Sequence, residues 1–210
     1  MRTANPPARA RQQEQSMALK IYGPVGTRTY RTLWMAEELG IDYEHITDAT
    51  PEALVAVNPM AQVPAIDDDG FILTESMAIN LYLARKHGKL MPSSAEEQAQ
   101  TLRWCFWVMT AVEGTLLDVL KRQHGILGFE KDPDAVAAGI ETLQRPLRVL
   151  NGHLADRDHL VNQDFTVADL NVASVLSWSR MARIDLSDHG NVDEWLGRCL
   201  ERDAAVRARG

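Results

Sequence analysis

The chain holds only two cysteines, Cys105 and Cys199, far apart and outside any CxxC or Cys/His cluster. That excludes a disulfide framework and argues against structural zinc, so no metal is expected and a reducing cytoplasm is the expected compartment. No apolar run is long enough to span a bilayer, and the N-terminus lacks the apolar core of a signal peptide, so no membrane partner is expected. A basic surplus is missing too. The 22 Lys and Arg face 29 Asp and Glu, a formal net charge of -7, and no basic face signals nucleic acid. What is present, 45% hydrophobic and 24% charged residues over 210 positions, is the composition of a globular protein with room for two modest domains.

Residues 1–16 carry prolines, arginines and glutamines without an apolar period and have nothing to bury, so they are expected to form a disordered extension. Met17 stands directly before the first strand-like run and offers an alternative start. A transit peptide is the rival reading, disfavoured by the prolines and the glutamate.

From there the pattern is mixed. Residues 18–22 predict a strand, GPVGTR a turn, and residues 29–39 a helix ended by Gly40. Residues 42–46 predict a second strand, and Pro51 starts a short helix that stops before Asn58 and Pro59. The apolar runs at 63–66 and 71–73 flank DDDG, a hairpin signal, and a helix is expected over 75–86. The order βαβαββα is that of a thioredoxin-like α/β domain, assigned to residues 17–88.

Residues 89–94 read as a linker, and residues 95–210 as an all-helical domain. Over 95–124 the residues Leu102, Cys105, Phe106, Met109, Glu113, Leu116, Leu117 and Leu120 predict one long core-facing helix. A second stripe of Trp104, Trp107, Val108, Ala111 and Thr115 exceeds what one bundle needs, which implies a subunit, the first domain or a ligand over it. Further helices are expected over 133–154 and 192–202. Within FTVADLNVASVLSW, Thr166 and Asp169 form a capping box with Phe165 and Leu170 as a hydrophobic staple, which makes Asp169 structural.

The stretches YGPVGTRTYRTLWMAEELGIDYE, NPMAQVPAI, TESMAINLYLARK and FTVADLNVASVLSW, in this order, resemble the cytosolic glutathione transferase family, of the serine/threonine or tyrosine type. The final helix departs from the family pattern, with Asp203 after Arg202 where many members have proline. The resemblance implies glutathione as co-substrate, a hydrophobic electrophile as acceptor, a homodimer and a role in detoxification. It implies that the Val63–Pro64 bond is cis, leaving the Val63 backbone free to pair with the cysteinyl unit of the tripeptide by strand addition. Glu75 and Ser76 stand where a turn becomes a helix. There Ser76 and the nearby amides can hold the γ-glutamyl carboxylate, Glu75 can hold its ammonium, and Gln62 can reach the same ligand.

A glutathione thiol with a pKa near 8.5 is only about 3% thiolate at pH 7, so lowering that pKa is the main task. Two hydroxyls qualify as the activating group: Thr27 at a helix start and Tyr22 at a strand end. The loop from Gly23 to Thr29 has no cysteine for disulfide-forming chemistry, and Arg28 and Arg31 read as structural or electrostatic. Trp104, Trp107, Val108 and Ala111 form a candidate wall for the electrophile, with dimer contact or core as their other readings. A glutathione-binding interaction module without turnover, and a glutathione-dependent isomerase or peroxidase on the same fold, are the rival functions.

Overall fold

A computed structural model describes residues 19–210; the extension at 1–16 and the start at Met17 lie outside the described residues. The first part of the chain runs β1 (Leu19–Tyr22), α1 (Tyr30–Leu39), β2 (Tyr43–Ile46), α2 (Pro51–Val57), β3 (Ala65–Asp68), β4 (Phe71–Thr74) and α3 (Ser76–His87). Its sheet has the order β2-β1-β3-β4, with β1 parallel to β2 and antiparallel to β3, and β3 antiparallel to β4. Ile21 and Ile66, paired across the central strands, are fully buried under α1 and α3. The strand expected from residue 63 begins at Ala65, after the Val63–Pro64 peptide, which is cis. In the hairpin, Gly70 takes φ +86 and its amide donates to the Asp67 carboxylate at 2.8 Å.

The helical part comprises α4 (Ala95–Val108), α5 (Gly114–His124), α6 (Pro133–His153), α7 (Val167–Met181), α8 (Gly190–Leu200) and α9 (Asp203–Arg207). The long helix expected over 95–124 is present, α4 running into α5 through a wider helical turn at Met109–Glu113. Its inward face differs from expectation. Trp104, Cys105, Val108, Val112 and Leu116 are buried, whereas Leu102 and Phe106 are 41% and 68% exposed. Both sides of this helix are apolar, so periodicity alone could not say which one the bundle covers. The last short helix, α9, was not expected; it packs back on α1, where Arg207 donates to Glu37 at 2.7 Å.

Helix α7 runs through the core, with nearly every residue from Val167 to Ser179 buried. The capping box is present: Thr166 caps the helix, and Asp169 accepts from the Thr166 amide at 3.0 Å. Asp169 also accepts from the Leu160 amide at 2.9 Å and the Trp195 indole at 3.2 Å, so its buried carboxylate is satisfied structurally. The two parts of the chain meet along α1, α3 and α7. There Asn80 donates to the Arg31 carbonyl at 3.1 Å and to Asn171 at 2.7 Å, and Asn171 donates to the Cys105 sulfur at 3.2 Å. Burial pushes the Cys105 and Cys199 thiols up, which keeps both protonated and unreactive.

Candidate active site

Three adjoining cavities lie along the seam between the α/β part and the helices. The smallest, about 200 Å³, is lined by Gln62, Val63, Pro64, Glu75 and Ser76, together with Arg28, Asn58 and Met109. All five residues expected to hold glutathione therefore surround one cavity. Among the described residues no backbone hydrogen bond engages Val63, so its amide and carbonyl are available to an extended peptide. Asn58 holds the approach in shape, donating to the Gln62 carbonyl at 2.7 Å and accepting from the Met60 amide at 3.1 Å.

Ser76 is the first residue of α3, so free amides and the positive helix end face this cavity. Glu75, just before it, takes φ +70, a conformation costly for a residue with a Cβ. The exposed Glu75 carboxylate and the buried Ser76 hydroxyl thus stand side by side, one suited to an ammonium and the other to a carboxylate.

Behind Ser76 lies a charge cluster that sequence reasoning passed over. Arg31, 1% exposed, reaches the Ser76 hydroxyl at 3.4 Å and Glu113 at 3.3 Å; Arg28 meets the same Glu113 oxygen at 2.6 Å. Burial lowers the Arg31 pKa to about 10 although the Glu113 carboxylate pulls it up. The Trp178 ring lies against both arginines, 5.7 Å from Arg28 and 4.9 Å from Arg31. The readings of Arg28 and Arg31 as electrostatic in role agree with this placement. Their partner Glu113 belongs to the stripe expected to face the core, but nothing local names its partners, which lie 85 and 82 residues away in the chain.

The second cavity, about 380 Å³, shares Arg28, Gln62 and Val63 with the first and is walled by Leu117, Leu120, Ile126, Trp178 and Met181. Thr27 lines it. The Thr27 hydroxyl donates to the Pro24 carbonyl at 2.7 Å and lies 3.0 Å from the Thr29 hydroxyl, while the Thr29 amide donates to it at 3.2 Å. Gly23 lets this loop pass Val63: at φ +119, an added Cβ would fall 2.3 Å from Thr29 Oγ1 and 2.6 Å from Val63 Cβ. Tyr22, by contrast, is buried at the end of β1 and lines none of these cavities.

The third cavity, also about 380 Å³, shares Gly26, Thr27, Trp178 and Met181 with the second and extends to Val25, Tyr30 and Leu200. Its apolar lining comes from the segment before α1 and from α1, α7 and α8, not from Trp104, Trp107, Val108 and Ala111. Trp104 and Val108 are buried in the helical core, with the Trp104 indole donating to the Leu160 carbonyl at 3.3 Å. Trp107 packs against the edge of Trp104 at 5.0 Å, and Ala111 is exposed; none of the four lines a cavity of the seam. Trp178 and Met181 went unnoticed because α7 is apolar on most faces and reads as pure core.

Among the described residues no group of three His, Cys, Asp or Glu side chains could hold a metal ion, and no helix is long and apolar enough to cross a membrane. Residues 17–85 match the family model for the glutathione S-transferase N-terminal domain, and residues 106–203 the model for its C-terminal domain. The glutathione S-transferase-like protein LUC7 of Fusarium is 32% identical over 80% of this chain and 79% of its own. Glutathione S-transferase-I bound with lactoylglutathione superposes with a TM-score of 0.82 at 28% identity, covering 91% of this chain and 98% of that one. Glutathione S-transferase I from maize in complex with an atrazine glutathione conjugate gives 0.80 at 29% identity, over 91% and 96%. With both domain models matched in order on the two halves of this cleft, the chain belongs to the glutathione S-transferase family.

Proposed function

We propose that the chain is a glutathione transferase in which Thr27 activates the glutathione thiol for attack on a hydrophobic electrophile. The observation that carries this reading is the continuity of the three cavities. A peptide paired to Val63, with its γ-glutamyl end at Glu75 and Ser76, has its thiol directed toward the cavity that Thr27 lines, and the apolar space beyond receives the acceptor.

Thr27 acts as a hydrogen-bond donor to sulfur. Rotation about its Cβ–Oγ bond turns the hydroxyl hydrogen from the Pro24 carbonyl toward the thiolate. The Thr29 amide, and the Thr29 hydroxyl once it turns, then donate into the Thr27 oxygen and polarise it further. Each unit by which the thiol pKa falls is about 1.4 kcal/mol of preferential thiolate stabilisation. Arg28, 40% exposed at the cavity wall, adds a positive field. The thiolate attacks the electrophilic carbon, the C–S bond forms as the leaving group departs with its electron pair, and the thiol proton has already gone to solvent. The protein is proposed to work in the cytoplasm as a homodimer, a reading supported by Leu102 and Phe106, which leave one face of α4 apolar and uncovered.

The test compares Thr27→Ala with Tyr22→Phe, reading thiolate absorbance of bound glutathione against pH alongside turnover. Loss of the Thr27 hydroxyl should raise the bound thiol pKa by about one unit or more, as expected for a charge-assisted hydrogen bond, and Tyr22→Phe should leave it in place. The opposite pattern would transfer the role to Tyr22.

A further inference from the structure

The cleft of this acidic chain has the opposite sign to the chain as a whole, whose formal net charge is -7. The two cavities that Thr27 lines are bordered by four cations, Arg28, Lys121, Arg180 and Arg209, and by no carboxylate. Three of the four have an acid nearby. Arg28 meets Glu113, Lys121 lies 4.0 Å from Asp118, and Arg180 lies 2.5 Å from Asp193.

Arg209 has no such partner within 4.0 Å among the described residues. Its Nη2 donates to the Leu200 carbonyl at 3.2 Å, and its guanidinium lies 5.6 Å from the centre of the Tyr30 ring. The Tyr30 hydroxyl donates to the Ala205 carbonyl at 3.4 Å; burial raises its pKa, and the neighbouring Arg209 pulls it down by charge and by hydrogen bonding. The position of Arg209 is held by α9, which the Arg207–Glu37 pair and the Tyr30 contact fasten to α1. Among the described residues, then, a cation without an acid borders the third cavity, whose walls include Tyr30, Trp178 and Met181. Arg209 is solvent-exposed where it borders this cavity, and its planar guanidinium suits a carboxylate.

Resting on the transferase reading above, we propose that the preferred acceptor is an apolar electrophile bearing an anionic group, and that Arg209 receives that group while the carbon under attack faces Thr27. In the reaction the glutathione sulfur forms a bond to that carbon, the carbon to leaving-group bond breaks, and the leaving group carries off the electron pair. The thiol proton passes to solvent. The anionic group of the acceptor takes no part in bond making and serves to orient the molecule. With glutathione bound in the cavity at Ser76 as proposed above, the site selects for charge at the far end of the acceptor.

The experiment uses the purified full chain with glutathione and two acceptors that share one reacting carbon, 4-(chloromethyl)benzoate and its methyl ester. The wild type is expected to favour the carboxylate in kcat/KM by about tenfold, the scale of one charge-assisted contact. Arg209→Gln should reduce that ratio about tenfold, Arg209→Lys should retain most of it, and added salt should lower it in the wild type. A wild-type ratio at or below one, or the same ratio in Arg209→Gln, overturns the proposal. Thiolate absorbance of bound glutathione, recorded in parallel, separates the two readings: a normal band without charge preference removes only the anionic acceptor. Absence of both the band and any turnover removes the transferase site as well.

Discussion

One carboxylate oxygen of Glu113, on the helical side of the seam, is shared by Arg28 at 2.6 Å and Arg31 at 3.3 Å, both from the α/β side. This three-member cluster ties the two halves of the chain together directly behind Ser76, so the site and the domain junction depend on the same ion pairs.

Replacing Glu113 with Gln should therefore be strongly destabilising. Arg31 is almost wholly buried and already costs stability at neutral pH: its folded pKa of about 10 lies below the ordinary value of 12.5. The folded form binds that proton less tightly than the unfolded chain, so the cost is fully present below about pH 10 and is relieved as pH rises from there. Without Glu113 it deepens. Breaking one side of a buried pair costs about 3–5 kcal/mol, and for a chain of this size the melting temperature should fall by roughly 6–20 °C. A calorimetric scan showing a shift of a degree or less would mean that solvent reaches Arg31.

Ser76→Ala should weaken glutathione binding while leaving the fold in place. It removes one polar partner of a carboxylate at the end of α3, worth about 1.5–3 kcal/mol, or roughly ten- to a hundredfold in Kd. Glu75→Ala should act in the same direction through the ligand ammonium. Titration calorimetry checks both, and unchanged affinity in the pair of variants would place the tripeptide elsewhere.

Gly23→Ala should disturb both stability and the thiol site. The added methyl group would meet Thr29 and Val63 well inside contact distance, at a φ that alanine disfavours. The loop must shift, and with it Thr27. The expected cost is about 1–3 kcal/mol in chemical denaturation, accompanied by a raised thiol pKa. A stable variant with an unaltered thiol pKa would show that the loop position is unimportant to activation.

Light scattering at micromolar concentration should give the mass of a dimer, because Leu102 and Phe106 stand 41% and 68% exposed on one face of α4. Phe106→Glu should shift the mass toward the monomer. A monomeric wild type would overturn the dimer and leave Leu102 and Phe106 as ordinary exposed side chains.

The readable parts of the site were those whose chemistry is local. Glu75 and Ser76 at a helix start form a short motif in which adjacent residues set the backbone, the cis bond of Val63 before Pro64 was implied by the family resemblance, and both converge on one cavity. The capping box at Thr166 and Asp169 was readable for the same reason, since its hydrogen bonds close over three residues. The apolar walls of the two larger cavities were not. Trp104 and Trp107 looked suitable because aromatic side chains can line either a core or a pocket, and the sequence carries no mark that separates the two.

What the sequence by itself determined is the order of elements as far as α8, the α/β and all-helical division, and the local geometry at Ser76 and Thr166, because hydrophobic period and capping act over a few residues. What only the tertiary structure decided is which face of α4 turns inward, that Glu113 serves Arg28 and Arg31, and that Trp178, Met181 and Arg209 border the space beyond Thr27. Those outcomes depend on how α1, α4, α7 and α9 pack against one another. Packing pairs residues that are far apart in the chain, and no local preference encodes such a pairing.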